Sequence, residues 1–106
     1  MDDIKKLLGQ RIRELRKSYN ISQQELAEKI NIDPRNLSNI ETGKTFPSKS
    51  LLDIAYALNV PVAELFQFEH IKMSKNELIN YINSSTKRMN DTKLKVIYKF
   101  IKTLQN

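Results

Sequence analysis

The sequence predicts an all-α protein. Only two glycines and three prolines occur among its 106 residues, and no segment keeps the alternation of apolar and polar residues that is typical of a strand. Apolar residues instead recur every three or four positions, the spacing that places them on one face of a helix. We therefore expect a domain of five helices over residues 1–68, followed by a small C-terminal helical hairpin over residues 69–106.

The first two helices are predicted from apolar spacing and from a capping pattern. The second helix should begin at Ser22, because Ser22 and Glu25 have the Ser-x-x-Glu spacing of a capping box. The first helix should cover residues 2–18. Its buried face is expected to hold Ile4, Leu7 or Leu8, Ile12 and Leu15.

The third helix has clear signals at both ends. It should begin at Asp33, an N-cap acid that is followed by a proline at the first helical position. It should end at Gly43, where glycine readily adopts the left-handed conformation. Asparagine tolerates positive φ better than the other residues with side chains. We expect three asparagines to end helices in this way, namely Asn20, Asn31 and Asn59.

Two shorter helices should complete the first domain. A short fifth helix is expected after Pro61, returning Leu65 and Phe66 to the core, and residues 67–73 are interpreted as a hinge. The fourth helix should run from Ser48 or Ser50 to Leu58. Its buried residues are expected to be Leu51, Ile54, Ala55 and Leu58.

The C-terminal segment is predicted to form two helices. A second capping box, Ser74 and Glu77, opens a helix whose inward residues would be Leu78, Tyr81 and Ile82. A last helix begins around Asn90-Asp91 and carries an apolar seam with the spacing of a coiled coil. This seam is formed by Leu94, Ile97, Ile101 and Leu104.

The apolar seam of the last helix has two possible partners, the preceding helix or a second subunit. Val96 and Phe100 form a further apolar stripe on the same helix, which is more apolar surface than one short helix would cover. This excess favours a homodimer. The predicted dimerisation residues are Leu94, Ile97, Phe100, Ile101 and Leu104.

The composition excludes several classes of protein. The chain has no cysteine, so it has neither a disulfide framework nor a thiolate metal site. Its single histidine, His70, has no second histidine or carboxylate cluster nearby at ligand or triad spacing. We therefore expect no enzymatic activity, no metal and no cofactor. The apolar runs are too short to span a bilayer, and the N-terminus lacks the apolar stretch of a secretory signal. These features predict a cytoplasmic protein.

The charge of the chain suggests a polyanionic partner, but its distribution weakens that argument. The formal net charge is +6 and the pI is about 9.6. Residues 1–66 carry ten basic and nine acidic side chains, whereas residues 67–106 carry eight basic and three acidic ones. Most of the excess positive charge therefore lies in the C-terminal segment, where it is either a solvated surface or a contact to flanking phosphates or an acidic protein.

Residues 11–66 resemble the lambda-repressor-like helix-turn-helix family, also called the Cro or xenobiotic-response-element family. The resemblance covers a little over half of the chain, and its small, apolar and capping residues all fall in register. The matching residues are Leu15, Arg16, Ser22, Gln23, Leu26, Ala27, Ile30, Ile32, Leu37, Ser38, Ile40, Glu41, Gly43, Leu51, Ile54, Ala55, Leu58 and Leu65. Most of these are core residues that would hold the third helix outward. In this family the N-terminal part of that helix enters the major groove of DNA.

Helical phase predicts which residues would read bases. With Leu37 and Ile40 inward and about 100° per residue, Arg35 and Asn39 lie on the outer face. Arg35 is suited to the O6 and N7 atoms of guanine, and Asn39 to the N6 and N7 atoms of adenine. The alternative is that both are ordinary solvated residues. The predicted base-reading set is Pro34, Arg35, Asn36, Ser38 and Asn39.

Pro34 departs from the family pattern, which often has a hydrogen-bonding side chain at this position. Proline offers only an apolar edge, either to contact a thymine methyl group or to initiate the helix. This departure concerns the fine specificity of base recognition and leaves DNA binding itself in place.

A second group of residues is predicted to contact DNA phosphates. Gln23 resembles the family's phosphate-contacting glutamine, and Arg16 and Glu41 match its usual ion pair, which would leave part of the arginine charge facing DNA. For the lysines of the loop after the third helix, a solvated surface is the alternative. The predicted phosphate-contacting set is Ser22, Gln23, Arg16, Thr42, Lys44, Thr45 and Lys49.

These observations predict a DNA-binding transcriptional regulator. The preferred interpretation is a homodimeric repressor, of bacterial or prophage origin, that reads a palindromic operator in double-stranded DNA. A symmetric dimer would place its two recognition helices about 34 Å apart. The alternative is an antitoxin or a regulator whose C-terminal helices bind another protein. Neither interpretation involves a membrane.

Overall fold

The computed structural model of the chain describes residues 2–105, and these residues form eight helices and no strand. The all-α prediction is therefore confirmed. The helices are α1 (Asp2–Ser18), α2 (Gln23–Lys29), α3 (Pro34–Glu41), α4 (Leu51–Ala57), α5 (Val62–Leu65), α6 (Glu69–Lys72), α7 (Lys75–Thr86) and α8 (Asp91–Gln105).

The chain divides after Lys72 into two compact units. The first unit contains α1 to α6, and the second contains α7 and α8. The predicted boundary after residue 68 lies inside the first unit, because part of the predicted hinge at residues 67–73 is the short helix α6, which packs against α1.

Charged and polar side chains hold α6 and α5 against α1. The His70 Nε2 atom lies 2.8 Å from Glu14 Oε1 and 3.1 Å from Glu14 Oε2. Arg11 donates to the Glu64 carboxylate and to the Glu64 carbonyl oxygen, both at 3.0 Å. Partial burial raises the pKa of Glu14, but the hydrogen bonds to His70 and Arg11 outweigh it, so the net pKa lies below the ordinary value. Helix α6, which follows Phe66, therefore packs against α1 and is held there by these contacts.

The predicted helix starts are confirmed by their hydrogen bonds. The Ser22 hydroxyl accepts from the Glu25 N–H at 3.0 Å, and the Glu25 carboxylate accepts from the Ser22 N–H at 3.1 Å. Ser74 and Glu77 form the same reciprocal pair. The hydrogen bonds from the serine backbone and hydroxyl lower the pKa values of both glutamates. At α3 the Asp33 carboxylate accepts from the Arg35 N–H at 2.8 Å, and such caps are typically worth about 1 kcal/mol.

The predicted left-handed turn positions are also confirmed. Asn20, Asn31 and Asn59 have φ values of 57°, 58° and 57°, and Gly43 has a φ of 81°. These residues follow α1, α2, α4 and α3 respectively. At each of these positions the left-handed conformation ends one helix and turns the chain, so that the next helix can pack against the core.

The core of the first unit is formed by the residues that the helical spacing predicted, with exceptions at its edges. Ile4 is 46% exposed, because the inner face of α1 is covered only from Leu7 onward. Phe66 is 40% exposed and faces the Phe68 ring at a centroid distance of 6.4 Å, and it is Phe68 that packs against the core. The buried core residues are Leu7, Leu8, Ile12, Leu26, Ala27, Leu37, Ile40, Ile54, Ala55, Leu58 and Leu65.

The second unit buries none of its apolar side chains. Tyr81 and Ile82, which were predicted to face inward, are 68% and 52% exposed. Along the predicted seam of α8, Ile97 is half-buried and the other seam residues are exposed. The inward orientation predicted for Tyr81 and Ile82 is therefore wrong, because one copy of α7 and α8 leaves these faces open to solvent.

Among the residues that the structure describes, no single helix has the length and apolar character of a membrane span. One bent pair, Leu51–Ala57 with Val62–Lys72, satisfies the same criteria when taken together, by length and composition alone.

Candidate nucleic-acid interface

The outer face of α3 carries the predicted base-reading residues. Leu37 and Ile40 are buried in the core at 0% and 4% exposure. Pro34, Arg35 and Asn36 are exposed. Ser38 and Asn39, farther along the helix, are half-buried. The structure therefore brings the five residues together on one helix, with the arginine at its exposed N-terminal end.

A buried cluster of polar side chains fixes the C-terminal end of α3. Arg16 donates from Nε and Nη2 to the two carboxylate oxygens of Glu41, at 2.7 and 3.0 Å. Its Nη1 atom donates to the Ile21 carbonyl oxygen at 2.8 Å, and the Gln23 amide donates to Glu41 at 2.9 Å. Three helices, α1, α2 and α3, therefore meet at one carboxylate.

This cluster contains the ion pair between Arg16 and Glu41 that the family resemblance implied. Arg16 is only 7% exposed, and each of its three nitrogens has an acceptor inside the domain. A charge that has left water needs such partners, because an unpaired buried charge is costly. Arg16 therefore stabilises the packing of α1 against α3, and its contact to phosphate stays a prediction. Gln23 is half-buried, and one hydrogen of its amide is used by Glu41.

Gly9 permits a close crossing of α1 and α3 that helical periodicity does not predict. A Cβ atom on this buried residue would lie 2.3 Å from the carbonyl oxygen of Ile40 and 2.7 Å from that of Glu41. The two backbones therefore touch at the end of the recognition helix. The sequence feature that could have indicated this crossing is Gly9 itself, because a glycine inside an otherwise regular amphipathic helix often marks a close packing contact.

The loop after α3 presents the predicted phosphate-contacting lysines. The Asn39 carbonyl oxygen accepts from the N–H groups of Lys44 and Thr45, at 2.9 and 3.2 Å. Lys44, Thr45 and Lys49 are exposed. The loop backbone is thus tied to α3, and the long cationic side chains remain in solvent.

The two predicted hydroxyl contacts to phosphate differ in their hydrogen bonding. Thr42 donates its hydroxyl hydrogen to the Ser38 carbonyl oxygen at 2.9 Å, so its predicted phosphate contact would require a rotation of the side chain. The Ser22 hydroxyl accepts from the Glu25 N–H, and the Ser22 N–H and this hydroxyl both donate to the Glu25 carboxylate and lower its pKa, so a contact to phosphate would require the hydroxyl to rotate as well. Both hydroxyl groups are therefore used by hydrogen bonds within the domain.

A cavity of about 230 Å³ joins the flank of α3 to the following loop. It brings Asn36, a predicted base-reading residue, next to Thr45 and Lys49, which are predicted phosphate contacts. Phe46, which was not predicted as a site residue, also lines this cavity and is 38% exposed. The predicted dimerisation residues belong to the second unit and are not part of this surface.

Among the described residues, no group of three or more histidine, cysteine, aspartate or glutamate side chains is placed to hold a metal ion.

Comparisons of sequence show what the chain is similar to. A family profile described as a helix-turn-helix domain matches residues 9–69. The HTH-type transcriptional regulator ImmR of Bacillus subtilis (strain 168) is 33% identical over 87 residues, which are 79% of this chain and 68% of that protein.

Solved structures have the same fold. The restriction-modification controller protein C.AhdI from Aeromonas hydrophila is 35% identical, with a TM-score of 0.57 over 61% of this chain and 98% of that chain. A chain of the SinR protein/SinI protein complex covers 92% of this chain and 97% of its own length, with a TM-score of 0.56 and 24% identity. That second likeness concerns the fold alone.

Proposed function

The chain belongs to the lambda-repressor-like helix-turn-helix family of DNA-binding transcriptional regulators, and on that basis we propose that it is a homodimeric repressor of a palindromic operator. The observation that carries the proposal is the orientation of α3, whose apolar residues are buried while Arg35 and Asn36 face solvent. Proteins of this family act by binding, not by catalysis. A protein that regulates transcription in this way works in the compartment that holds the DNA, here the cytoplasm.

In the proposed complex the N-terminal half of α3 lies in the major groove. Arg35 binds the O6 and N7 atoms of a guanine, and Asn39 binds the N6 and N7 atoms of an adenine. Each bidentate contact of this kind typically contributes about 1–3 kcal/mol of discrimination between bases. Pro34, Asn36 and Ser38 flank these two residues and complete the base-reading set.

Phosphate contacts would set the position of the domain on the duplex. Lys44, Thr45 and Lys49 are exposed on the loop after α3. Gln23 retains one amide hydrogen, and Ser22 stays in the proposed set with a rotated hydroxyl. Thr42 stays in the proposed set with a rotated hydroxyl, and Arg16 stays in it as a residue whose charge is shared with Glu41.

The second unit is proposed to form the dimer. Its open apolar faces, on α7 and on the seam of α8, favour burial against another copy because exposed surface of this extent is unfavourable in water. The proposed dimer contacts are apolar residues of α8. They are Leu94, Ile97, Phe100, Ile101 and Leu104.

The proposal is tested by selecting binding sites from random duplex DNA at two salt concentrations, with wild type, Arg35→Ala and Lys44→Ala. Arg35→Ala should relax the preference at one base pair in each half-site, because it removes a base contact. Lys44→Ala is the matched control, since removing a phosphate contact weakens all sequences alike and lowers the salt slope by about one unit. Identical base preferences in wild type and Arg35→Ala would contradict the assigned role of α3.

A further inference from the structure

Phe46, in the loop after α3, is an aromatic residue whose backbone is held in place while its ring stays partly in solvent. The side chain is 38% exposed and lies outside the core cluster of the first unit. The next residue, Pro47, is buried, and a proline favours an extended backbone at the residue before it. The Phe46 carbonyl oxygen also accepts from the Ser48 N–H at 2.9 Å. The exposure of the ring is therefore a property of an ordered loop.

The loop places this ring beside the proposed DNA-binding face of α3. The Asn39 carbonyl oxygen accepts from the Thr45 N–H at 3.2 Å, so Phe46 directly follows a point where the loop is attached to α3. Phe46 and Asn36 line the same cavity of about 230 Å³, together with Thr45 and Lys49. The ring therefore shares one cavity with a predicted base-reading residue and with two predicted phosphate contacts.

The lining of this cavity is partly apolar, which suits one group of DNA in particular. Besides the Phe46 ring, it includes Ile32, Ile40 and Pro47. In the major groove the bases present mainly hydrogen-bonding atoms, and their one apolar group there is the C5 methyl group of thymine, which phenylalanine is suited to contact. The cavity is smaller than pockets for drug-sized ligands, which measure about 300–1,000 Å³, but it has room for a methyl group.

We propose that Phe46 is a specificity-determining residue that contacts the C5 methyl group of a thymine in the DNA site. This inference rests on the proposed function, since α3 must lie in the major groove for the contact to form. It adds an apolar contact to the hydrogen bonds proposed for Arg35 and Asn39. An apolar contact neutralises no phosphate, so its contribution to affinity should not depend on salt in the way that a lysine contact does.

The experiment uses the duplex that wild type selects from random DNA, in which each thymine is replaced in turn by deoxyuridine. This replacement removes only the C5 methyl group. At one thymine of each half-site, wild type should lose affinity by roughly three- to tenfold, as expected for one apolar methyl contact. Phe46→Ala should lose a similar factor on the unmodified duplex and should be insensitive to uracil at that same position, because the two changes remove one interaction.

Two variants separate this contact from other effects. Phe66→Ala is the matched control, because Phe66 is 40% exposed in the same unit and does not line the cavity, so it should keep the uracil sensitivity of wild type. Lys49→Ala changes a charged residue of the same cavity and should lower the salt slope by about one unit, whereas Phe46→Ala should leave that slope unchanged.

A conservative variant keeps the test independent of protein stability. Phe46→Leu retains an apolar side chain and should retain part of the uracil sensitivity. Urea denaturation compares both variants with wild type, and Phe46→Leu takes the place of Phe46→Ala in the binding measurements if the alanine variant is unfolded.

The proposal is overturned if Phe46→Ala stays as sensitive as wild type to uracil at every thymine. It is also overturned if wild type is insensitive to uracil throughout, since no methyl group is then read. Loss of affinity with unchanged uracil sensitivity would show that the ring contacts the sugar-phosphate backbone or only supports the loop. Failure of the proposed DNA-binding role appears separately, as a wild type that selects no preferred sequence.

Discussion

At the scale of single residues, polar side chains determine how the recognition helix is held. Glu41 is 4% exposed and accepts hydrogen bonds from Arg16 and Gln23, which belong to different helices. Bidentate pairs between arginine and carboxylate combine charge with a fixed geometry. The cluster therefore fixes the direction of α3 relative to α1 and α2, even though none of its members is proposed to touch a base.

The first prediction at this scale concerns the buried ion pair. Glu41→Gln should lower the free energy of unfolding by about 3–5 kcal/mol, because it leaves the buried Arg16 charge without its partner. Urea denaturation measures the change. The control is the double variant Arg16→Met plus Glu41→Leu, which removes both charges and should recover most of the loss. A single variant as stable as wild type would show that the pair is not desolvated in solution.

At the scale of helices, the crossing of α1 and α3 depends on one missing side chain. Gly9 lets the α1 backbone approach the carbonyl oxygens of Ile40 and Glu41. Gly43 makes a similar approach to Lys6, where an added Cβ atom would lie 2.7 Å from its side chain and 2.8 Å from its Cα atom. These two glycines are the only ones in the chain, and both lie where α1 meets the end of α3.

The prediction at this scale is that Gly9→Ala destabilises the protein. Helix propensity alone would favour alanine by about 1 kcal/mol. The added methyl group, however, meets backbone atoms that cannot move aside as a flexible side chain would, and overpacking of this kind typically costs about 1–3 kcal/mol or more. We expect a net loss in urea denaturation and weaker DNA binding, because α3 must shift.

Gln10→Ala provides the control for Gly9→Ala. Gln10 is the exposed neighbour on the same helix, and surface changes of this type usually stay within about 0.5 kcal/mol. Increased stability of Gly9→Ala would mean that propensity outweighs the steric contact and that the crossing is looser than described.

At the scale of the whole molecule, the two units differ in how they bury apolar surface. The first unit has a core to which α1, α2, α3, α4 and α5 contribute. The second unit has amphipathic helices without a covered face. This contrast is the basis for proposing that the second unit is completed by a second copy of the chain.

The prediction at this scale is that Ile97→Asp plus Ile101→Asp produces a monomer. Both residues lie on the proposed seam, where a buried carboxylate would be unpaired and therefore costly. Sedimentation velocity at micromolar protein measures the state, and operator affinity should fall with it. Lys95→Asp plus Lys99→Asp places aspartates at the same spacing outside the seam and should leave the dimer intact.

A wild-type protein that is already monomeric at high concentration would contradict the proposed dimer. If the wild-type protein is instead purified only as a complex with a different protein, the result would support a regulator whose C-terminal helices bind another chain.

Local chemistry could be read directly from the sequence. The capping boxes at Ser22 and Ser74, the acid and proline at the start of α3, and the left-handed positions at Asn31 and Gly43 all occur as predicted. Each of these features depends on hydrogen bonds or φ values within a few residues, so the neighbouring sequence contains the information.

Contacts between side chains that are distant in the sequence could not be predicted from neighbouring residues. The resemblance implied the pair between Arg16 and Glu41, but not that Gln23 of α2 joins it, and spacing placed Phe66 in the core, whereas the fold leaves it exposed. The base-reading and phosphate-contacting residues stay predictions, since their proposed partners are atoms of DNA.

By itself the sequence determined the all-α class, the ends of the helices and the outward side of α3. Only the tertiary structure decided that three helices meet at Glu41, that Gly9 admits a backbone crossing, and that α4 turns Tyr56 away from the core. The physical reason is that capping and turning depend on adjacent residues. Burial depends on which distant segments cover a given face, and periodicity along one helix does not specify them.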